Sequence, residues 1–297
     1  MTDRLSGLLH RFQLRARVFH AGPLCGISSF EERNGTGHVH LLRRGALGLT
    51  DAQGRFTVVE EPSVLLLPRA VTHRLEACGP QGAELVCASV DFGAGDENPL
   101  LRALPASLVV PLARLPGLDL TQQLLFVEAL HRRCGHEAVV DRLTEVLLVQ
   151  LLRYAIEQRL VDGGLMAGLA DPRLHRALAA VHADPGRAWT LASMAAEAGM
   201  SRARFAAHFL RCVGVPPGEY LTVWRLGLAR SMLRRGLPLK QVAGDVGYAN
   251  TSAFGRVFAR RLGSSPGAWL ASHGDSLRQP PPTAASGSVH ETSIAAR

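Results

Sequence analysis

Apolar and polar positions alternate over short stretches in the first hundred residues and recur every three to four residues beyond position 120. The chain therefore reads as a strand-rich half followed by a helical one. Residues 46–50, 55–59, 64–67 and 84–91 are strand-like; the first two flank the turn Asp51-Ala52-Gln53-Gly54, and the third ends at Pro68. Hairpins at this spacing predict a small antiparallel barrel or sandwich. Residues 121–133 and 138–160 predict two helices joined at Gly135. In the second, apolar residues at 139, 140, 143, 146, 147, 148, 151, 152, 155 and 156 form a stripe wider than the roughly 100° that one buried face requires. One flank is expected to pack on the barrel and the other to meet a second copy of the chain.

A glycine-rich stretch from residue 162 to Pro172 predicts a linker. Residues 1–162 and 172–273 are accordingly expected to be two domains, followed by a disordered tail at 274–297 that is rich in Pro, Ser and Ala. Within the second domain the chain repeats itself. At an offset of 49, Phe205 matches Phe254, Phe209 matches Phe258, Arg211 matches Arg260, Gly214 matches Gly263 and Tyr220 matches Trp269. Upstream the offset is 48, pairing Leu191 with Leu239 and Ala195 with Ala243; the change falls at the turns Gly199-Met200-Ser201 and Gly247-Tyr248-Ala249-Asn250. Each copy has the layout of a helix-turn-helix. A short helix with small residues for a close crossing (Ala195, Ala196; Ala243, Gly244) leads through a glycine turn and a capping Ser201 or Asn250 into an amphipathic second helix. Residues 218–235, between the copies, predict one long helix able to hold both second helices on one side of a duplex.

In the first copy Phe205, Phe209 and Cys212 are expected to face the core; Ala203 and Ala207 lie opposite, flanked by Arg204 and Arg211, with Arg202 at the N-terminal end. In the second, Thr251, Ser252, Gly255 and Arg256 oppose Phe254 and Phe258, and Arg260 takes the place of Arg211. Charge sharpens this picture. Residues 172–273 hold thirteen Arg and one Lys against four acids, a net of +10, whereas residues 1–171 carry −2 and the whole 297-residue chain +8. Positive charge so concentrated suits a polyanion, and a small or polar helix face edged by arginines suits the major groove. Double-stranded DNA is the first candidate partner, the alternative on charge alone being a solvated basic face. The five cysteines lack both zinc-finger spacing and a disulfide framework, and no apolar run reaches the ~18 residues of a membrane span, so a cytoplasmic protein is expected.

Residues 172–271 resemble the DNA-binding domain of the AraC/XylS-type transcriptional regulators. The second copy carries that family's signature in Val242-Ala243, Gly247-Tyr248, Phe254, Arg256, Phe258 and Gly263 to Pro266. The resemblance implies base contacts from Arg202, Ala203, Ala206 and Ala207 in the first reading helix and from Thr251, Ser252, Gly255 and Arg256 in the second. It also implies RNA polymerase and a second copy of the chain as partners, with activation the commoner outcome. The chain departs from many relatives in the three alanines of its first reader and in Trp269-Leu270.

Residues 1–110 resemble the cupin-type sensory domain of one subset of that family, through Gly37-His38-Val39-His40, a hairpin at 45–54, and Val64-Leu65-Leu66-Leu67-Pro68 followed by His73. In metal-binding cupins an HxH pair, a Glu and a later His converge; here Arg43-Arg44 stand where the Glu would be. His38, His40 and His73 are therefore read as residues of a pocket, with a metal site as the lesser reading, and no cofactor is expected. Cys25 and Cys87 resemble in placement the paired cysteines of reactive-chlorine-sensing regulators, whose oxidation yields a sulfenic acid or a disulfide; the alternative is that Cys87 is a small core residue. Cys78, Cys134 and Cys212 are read as structural. The expectation is an α+β chain of two domains, a cupin-like antiparallel barrel with dimerisation helices and an all-α double helix-turn-helix. It would act as a transcription factor controlled by a small molecule or an oxidant. Its rival is a cupin-type metal enzyme fused to a DNA-binding module.

Overall fold

The computed structural model describes residues 3, 5–12, 14–30, 36–79, 82–93, 98–115, 117–131, 133–161 and 163–273. They fall into two compact units: residues 14–93 and 104–154 form one, residues 3–12, 98–103 and 155–273 the other. The expected tail at 274–297 lies outside the described residues.

The first unit holds strands β1 (Arg15–Leu24), β2 (Ile27–Phe30), β3 (Gly37–Arg44), β4 (Ala46–Thr50), β5 (Phe56–Val59), β6 (Ser63–Leu67), β7 (His73–Cys78), β8 (Ala83–Asp91) and β9 (Leu108–Pro111). They form two antiparallel sheets, ordered β1-β8-β3-β6-β9 and β2-β7-β4-β5. Leu42, Leu65, Leu67, Leu85 and Cys87 of the larger sheet pack against Leu47, Leu49, Val59 and Leu75 of the smaller one.

Register settles which side of each strand faces that core. His40 pairs with Leu65 on one side and Cys87 on the other, and directly opposed residues share a face, so His40 and Cys87 both point inward. Val39, Leu41, Val86 and Ala88 point the other way and meet Leu125, Thr144 and Leu147. Those three sit on α3 (Asp119–His131) and α4 (His136–Glu157), which Gly135 separates at a φ of 80°. Carboxylates of α4 also protect the edge of the larger sheet. The Val18 amide donates to Asp141 Oδ1 at 2.7 Å and the Ala16 amide to Glu145 Oε1 at 3.3 Å. The opposite flank of the helix pair leaves Leu120, Leu124, Val127, Leu130, Val139 and Val146 exposed.

The second unit is helical: α1 (Ser6–Phe12), α2 (Pro99–Ala103), α5 (Gly164–Ala170), α6 (Leu174–Ala183), α7 (Leu191–Glu197), α8 (Arg202–Val213), α9 (Pro217–Arg234), α10 (Leu239–Asp245), α11 (Thr251–Leu262) and α12 (Pro266–His273). The stretch read as a linker is corrected here, because most of it is α5, with Leu165, Met166 and Leu169 buried. Its glycines resemble turn residues in sequence, yet Gly168 serves contact. A Cβ there would stand 2.8 Å from Leu178 Cδ1 and 2.9 Å from Val213 Cγ2, so glycine lets α5 seat closely on α6 and α8. The long helix between the repeats is present as α9, with Tyr220, Leu221, Trp224 and Leu228 buried along it.

Candidate nucleic-acid interface

The two repeats fold alike down to individual hydrogen bonds. In the first, α7 turns into α8 where the Met200 amide donates to Ala195 O at 2.9 Å; in the second, the Tyr248 amide donates to Ala243 O at 2.9 Å. Gly199 and Gly247 carry these turns at φ of 63° and 82°, a conformation that costs an L side chain strain. At Gly247 a Cβ would also stand 2.7 Å from Gly186 O. The Phe205 amide then donates to Ser201 O and the Phe254 amide to Asn250 O. The residue that changes the offset from 48 to 49 therefore lies between Tyr248 and Asn250.

Aromatic triplets anchor both second helices. Phe205 and Phe209 sit 5.5 Å apart and Phe209 and Tyr220 5.6 Å; Phe254 and Phe258 sit 5.4 Å apart and Phe258 and Trp269 6.0 Å. Three local expectations need correction. Only Ala195 and Ala243 are buried at the helix crossings, while Ala196 and Gly244 are exposed, so one small residue per copy suffices. Asn250 caps α11 by accepting from the Ala253 amide at 2.8 Å, but the Ser201 side chain makes no capping bond to α8. Cys212 leaves the core to the phenylalanines and lies half-buried beside His208.

On the outer faces Arg202, Ala203, Arg204, Ala207 and Arg211 of α8 are exposed and Ala206 is half-buried; on α11 Ser252, Arg256 and Arg260 are exposed, with Thr251 and Gly255 half-buried. Other arginines of this unit are held by the protein itself. Arg187 pairs with Glu197 at 3.1 Å and Arg261 with Glu219 at 3.0 Å, while Arg176 donates to Ala198 O and Arg225 to Pro185 O and Arg187 O. The side chains of Arg202, Arg204, Arg256 and Arg260 have no such partner among the described residues, nor do those of the exposed Arg173, Arg235 and Lys240, so four of these seven unpaired cations lie on the two second helices. Charge counting along the sequence cannot separate these two groups of arginines.

Arg211 differs from them. Its guanidinium donates to His208 Nδ1 at 2.6 Å, and His208 Nε2 lies 2.8 Å from Asp171 Oδ2. Desolvation pushes the Asp171 carboxyl up, but hydrogen bonds from the Leu174 and Arg173 amides and from His208 outweigh it and hold the group below its usual range. Burial and the nearby Asp171 charge push the Cys212 thiol up. Sequence reading missed His208 and Asp171, whose contact spans 37 positions.

In the barrel the structure does bring the predicted histidines together. His40 Nε2 lies 2.9 Å from His73 Nε2, the His73 Nδ1 meets Val71 O at 3.0 Å, and Phe30 stacks on His73 at 4.8 Å. Taken together, these contacts fit neutral rings: His73 donates through Nδ1 and accepts from His40 through Nε2. Desolvation lowers the His38 pKa to about 4 and holds His40 well below its usual value, with the neighbouring His73 adding to both. These residues do not fit a cupin metal centre. The three imidazoles do not offer nitrogens within 4.8 Å of one another. Arg43, in the Glu's place, pairs with Glu84 at 2.9 Å and lies over the Phe126 ring instead. His73 also borders a cavity of about 440 Å³ lined by Thr50, Asp51, Val71, Thr72 and Arg74.

The structure does not bring Cys25 and Cys87 together. Cys25 is exposed just past the end of β1, where Leu24 pairs with Ala83, whereas Cys87 is buried opposite His20. Four to five residues of strand separate their levels, roughly 13–17 Å at ~3.3 Å each, well beyond the reach of a disulfide. Burial also pushes the Cys87 thiol well up, away from the thiolate that oxidants attack.

Comparison with known proteins adds two family matches, one described as Cupin over residues 3–157 and one as Helix-turn-helix domain over residues 194–272. The chain is 38% identical over 188 residues to a putative AraC-like transcription regulator of Streptomyces lividans, covering 62% of each chain. It is 30% identical over 290 residues to an uncharacterized HTH-type transcriptional regulator of Haemophilus influenzae, covering 89% of this chain and 97% of that one. It is also 30% identical over 233 residues to the RCS-specific HTH-type transcriptional activator RclR of Escherichia coli K12, covering 77% of this chain and 82% of that one. Among the described residues no helix is long and apolar enough to cross a membrane.

Proposed function

Since the chain belongs to the AraC-type transcriptional regulators that carry a cupin N-terminal domain, we propose that it regulates transcription by reading promoter DNA with α8 and α11 under the control of its barrel. The observation that carries this reading is the gathering of Arg202, Arg204, Arg256 and Arg260, exposed and without protein partners among the described residues, on the second helices of two like-folded repeats. In this reading Arg202, Ala203, Ala206 and Ala207 face base edges from α8, and Thr251, Ser252, Gly255 and Arg256 from α11. Arg204, Arg211 and Arg260 serve phosphates. At 1.5 Å per residue α9 is about 27 Å long, a length suited to presenting two helices to major grooves about 34 Å apart on one face of a duplex. The protein acts in the cytoplasm on double-stranded DNA, with RNA polymerase as its downstream partner. The exposed row Leu120, Leu124, Val127 and Leu130 supports pairing with a second copy.

The control signal is read as a small organic ligand. The cavity beside His73 has a volume in the range typical of ligand sites, and Thr50, Thr72 and Arg74 in its lining offer polar groups to a ligand. An oxidant is the second reading, favoured by the relative that is an RCS-specific activator and by the exposure of Cys25. A metal enzyme is not favoured, because Arg43 occupies the carboxylate's place.

Selection of duplexes from a random library by the purified protein tests both levels. A single enriched motif with two elements about one helical turn apart is expected, and no enrichment would overturn the DNA reading. Repeating the binding after a mild hypochlorite dose, with Cys25→Ser alongside, separates the two signals. A change on oxidation that Cys25→Ser removes selects the oxidant, and unchanged binding selects the ligand.

A further inference from the structure

The first reading helix carries on its flank a side-chain cluster that base reading leaves unused. His208 and Cys212 lie one turn apart on α8, both half-buried, and Asp171 stands between α5 and α6. Asp171 Oδ2 and His208 Nε2 are 2.8 Å apart, and Cys212 Sγ lies 3.9 Å from Nε2 and 3.8 Å from Nδ1. At this one place among the described residues, three metal-ligating atoms come within 4.8 Å of one another.

Two independent features hold these donors in position. Asp171 Oδ1 accepts from the Arg173 and Leu174 amides, both at 2.9 Å, which fixes the carboxylate and leaves Oδ2 for His208. Gly168 seats α5 against Val213 at the end of α8, so the segment that bears Asp171 is packed onto the helix that bears the other two donors.

We propose that Asp171, His208 and Cys212 bind a divalent transition-metal ion of the zinc class, which fastens the start of α6 to the first reading helix and releases Arg211 from His208. Thiolate, imidazole and carboxylate together select such an ion over magnesium or calcium, which take oxygen ligands. Bond lengths of about 2.3 Å to sulfur and about 2.0 Å to nitrogen and oxygen at tetrahedral angles separate S from N by about 3.6 Å and N from O by about 3.3 Å. The observed 3.9 and 2.8 Å lie within about half an ångström of those values, and because Sγ is as near Nδ1 as Nε2, the imidazole also turns to aim Nε2 between the sulfur and the carboxylate. Water fills the fourth position, and the thiol proton of Cys212 leaves to solvent as the metal–sulfur bond forms.

The coupling to Arg211 follows from the imidazole's single proton. Without metal it sits on Nε2, donating to Asp171, while Nδ1 accepts from Arg211 at 2.6 Å. A metal on Nε2 leaves that proton on Nδ1, where a guanidinium, which only donates, loses its acceptor. Arg211, on the exposed edge of α8, is then free for a phosphate.

The test is titration of the full-length protein with Co²⁺ alone, in a thiol-free reductant and without DNA. Expected are a near-ultraviolet thiolate-to-cobalt charge-transfer band and the visible bands of tetrahedral cobalt. Both should saturate stoichiometrically, bleach on adding Zn²⁺, disappear in Cys212→Ser and His208→Ala, and persist in His40→Ala. No charge-transfer band, or one that survives Cys212→Ser, overturns the proposal. Cys212→Ser is nearly isosteric at a half-exposed position and decides the matter if His208→Ala fails to fold. The readout is optical and needs no DNA, so its failure is distinct from failure of the DNA-reading proposal.

Discussion

Laid over one another by the 49-residue repeat, the two helix-turn-helix copies keep the same turn hydrogen bond, from Met200 to Ala195 and from Tyr248 to Ala243, and the same aromatic triplet behind the second helix. Their outer faces do not match. α8 sets methyl groups, Ala203, Ala206 and Ala207, between arginines, whereas α11 offers the hydroxyls of Thr251 and Ser252, the open surface at Gly255, and Arg256. Buried positions fix the skeleton, so surface positions are free to diverge in what they recognise. In the proposed reading, α8 anchors the protein through phosphates and thymine methyls, and α11 discriminates between bases.

The largest effects should be common to both copies. Phe205→Ala and Phe254→Ala each remove a fully buried ring and should each cost about 3–5 kcal/mol of the helical unit's stability. Urea unfolding followed by tryptophan fluorescence measures this, since Trp189, Trp224 and Trp269 all lie in that unit. A loss confined to one copy would break the equivalence of the two skeletons.

Surface changes should then separate the copies. Arg256→Ala is expected to cost about 1–3 kcal/mol on the selected duplex, much less on random DNA, and to relax preference at one base step. Arg204→Ala should weaken selected and random duplexes alike and lower the salt dependence of binding by about one ion. Equal behaviour of the two variants would dissolve the division between anchor and reader. The smallest difference concerns the caps. Asn250→Ala should cost about 1 kcal/mol because it removes the bond to the Ala253 amide, while Ser201→Ala, with no such bond to lose, should be close to neutral in the same unfolding assay.

Much of this architecture is legible in the sequence, because periodic burial leaves a direct trace. Phe205, Phe209, Phe254 and Phe258 recur at helical spacing and are buried as that spacing requires, and the strand-like run at 64–67 is the buried β6. What sequence hid has physical causes. The glycines of α5 imitate a turn while serving a close helix contact at Gly168. The arginines look alike in sequence, but Arg176 and Arg225 satisfy backbone carbonyls whereas Arg202 and Arg256 are free of protein partners among the described residues. HxH followed by a later His is readable as pocket residues, with a metal site as the lesser reading, but not as the neutral cluster that the three rings form in the barrel while Arg43 turns to Glu84. Asp171, His208 and Cys212 form a cluster only after α5 and α6 bring residue 171 to α8.

The central claim is that one chain presents two reading helices to one face of a duplex, and hydroxyl-radical footprinting on the selected duplex tests it most directly. The account predicts two protected patches about 10–10.5 base pairs apart on the same face, with Arg256→Ala exposing only one of them. A single patch, or two on opposite faces of the duplex, would contradict it.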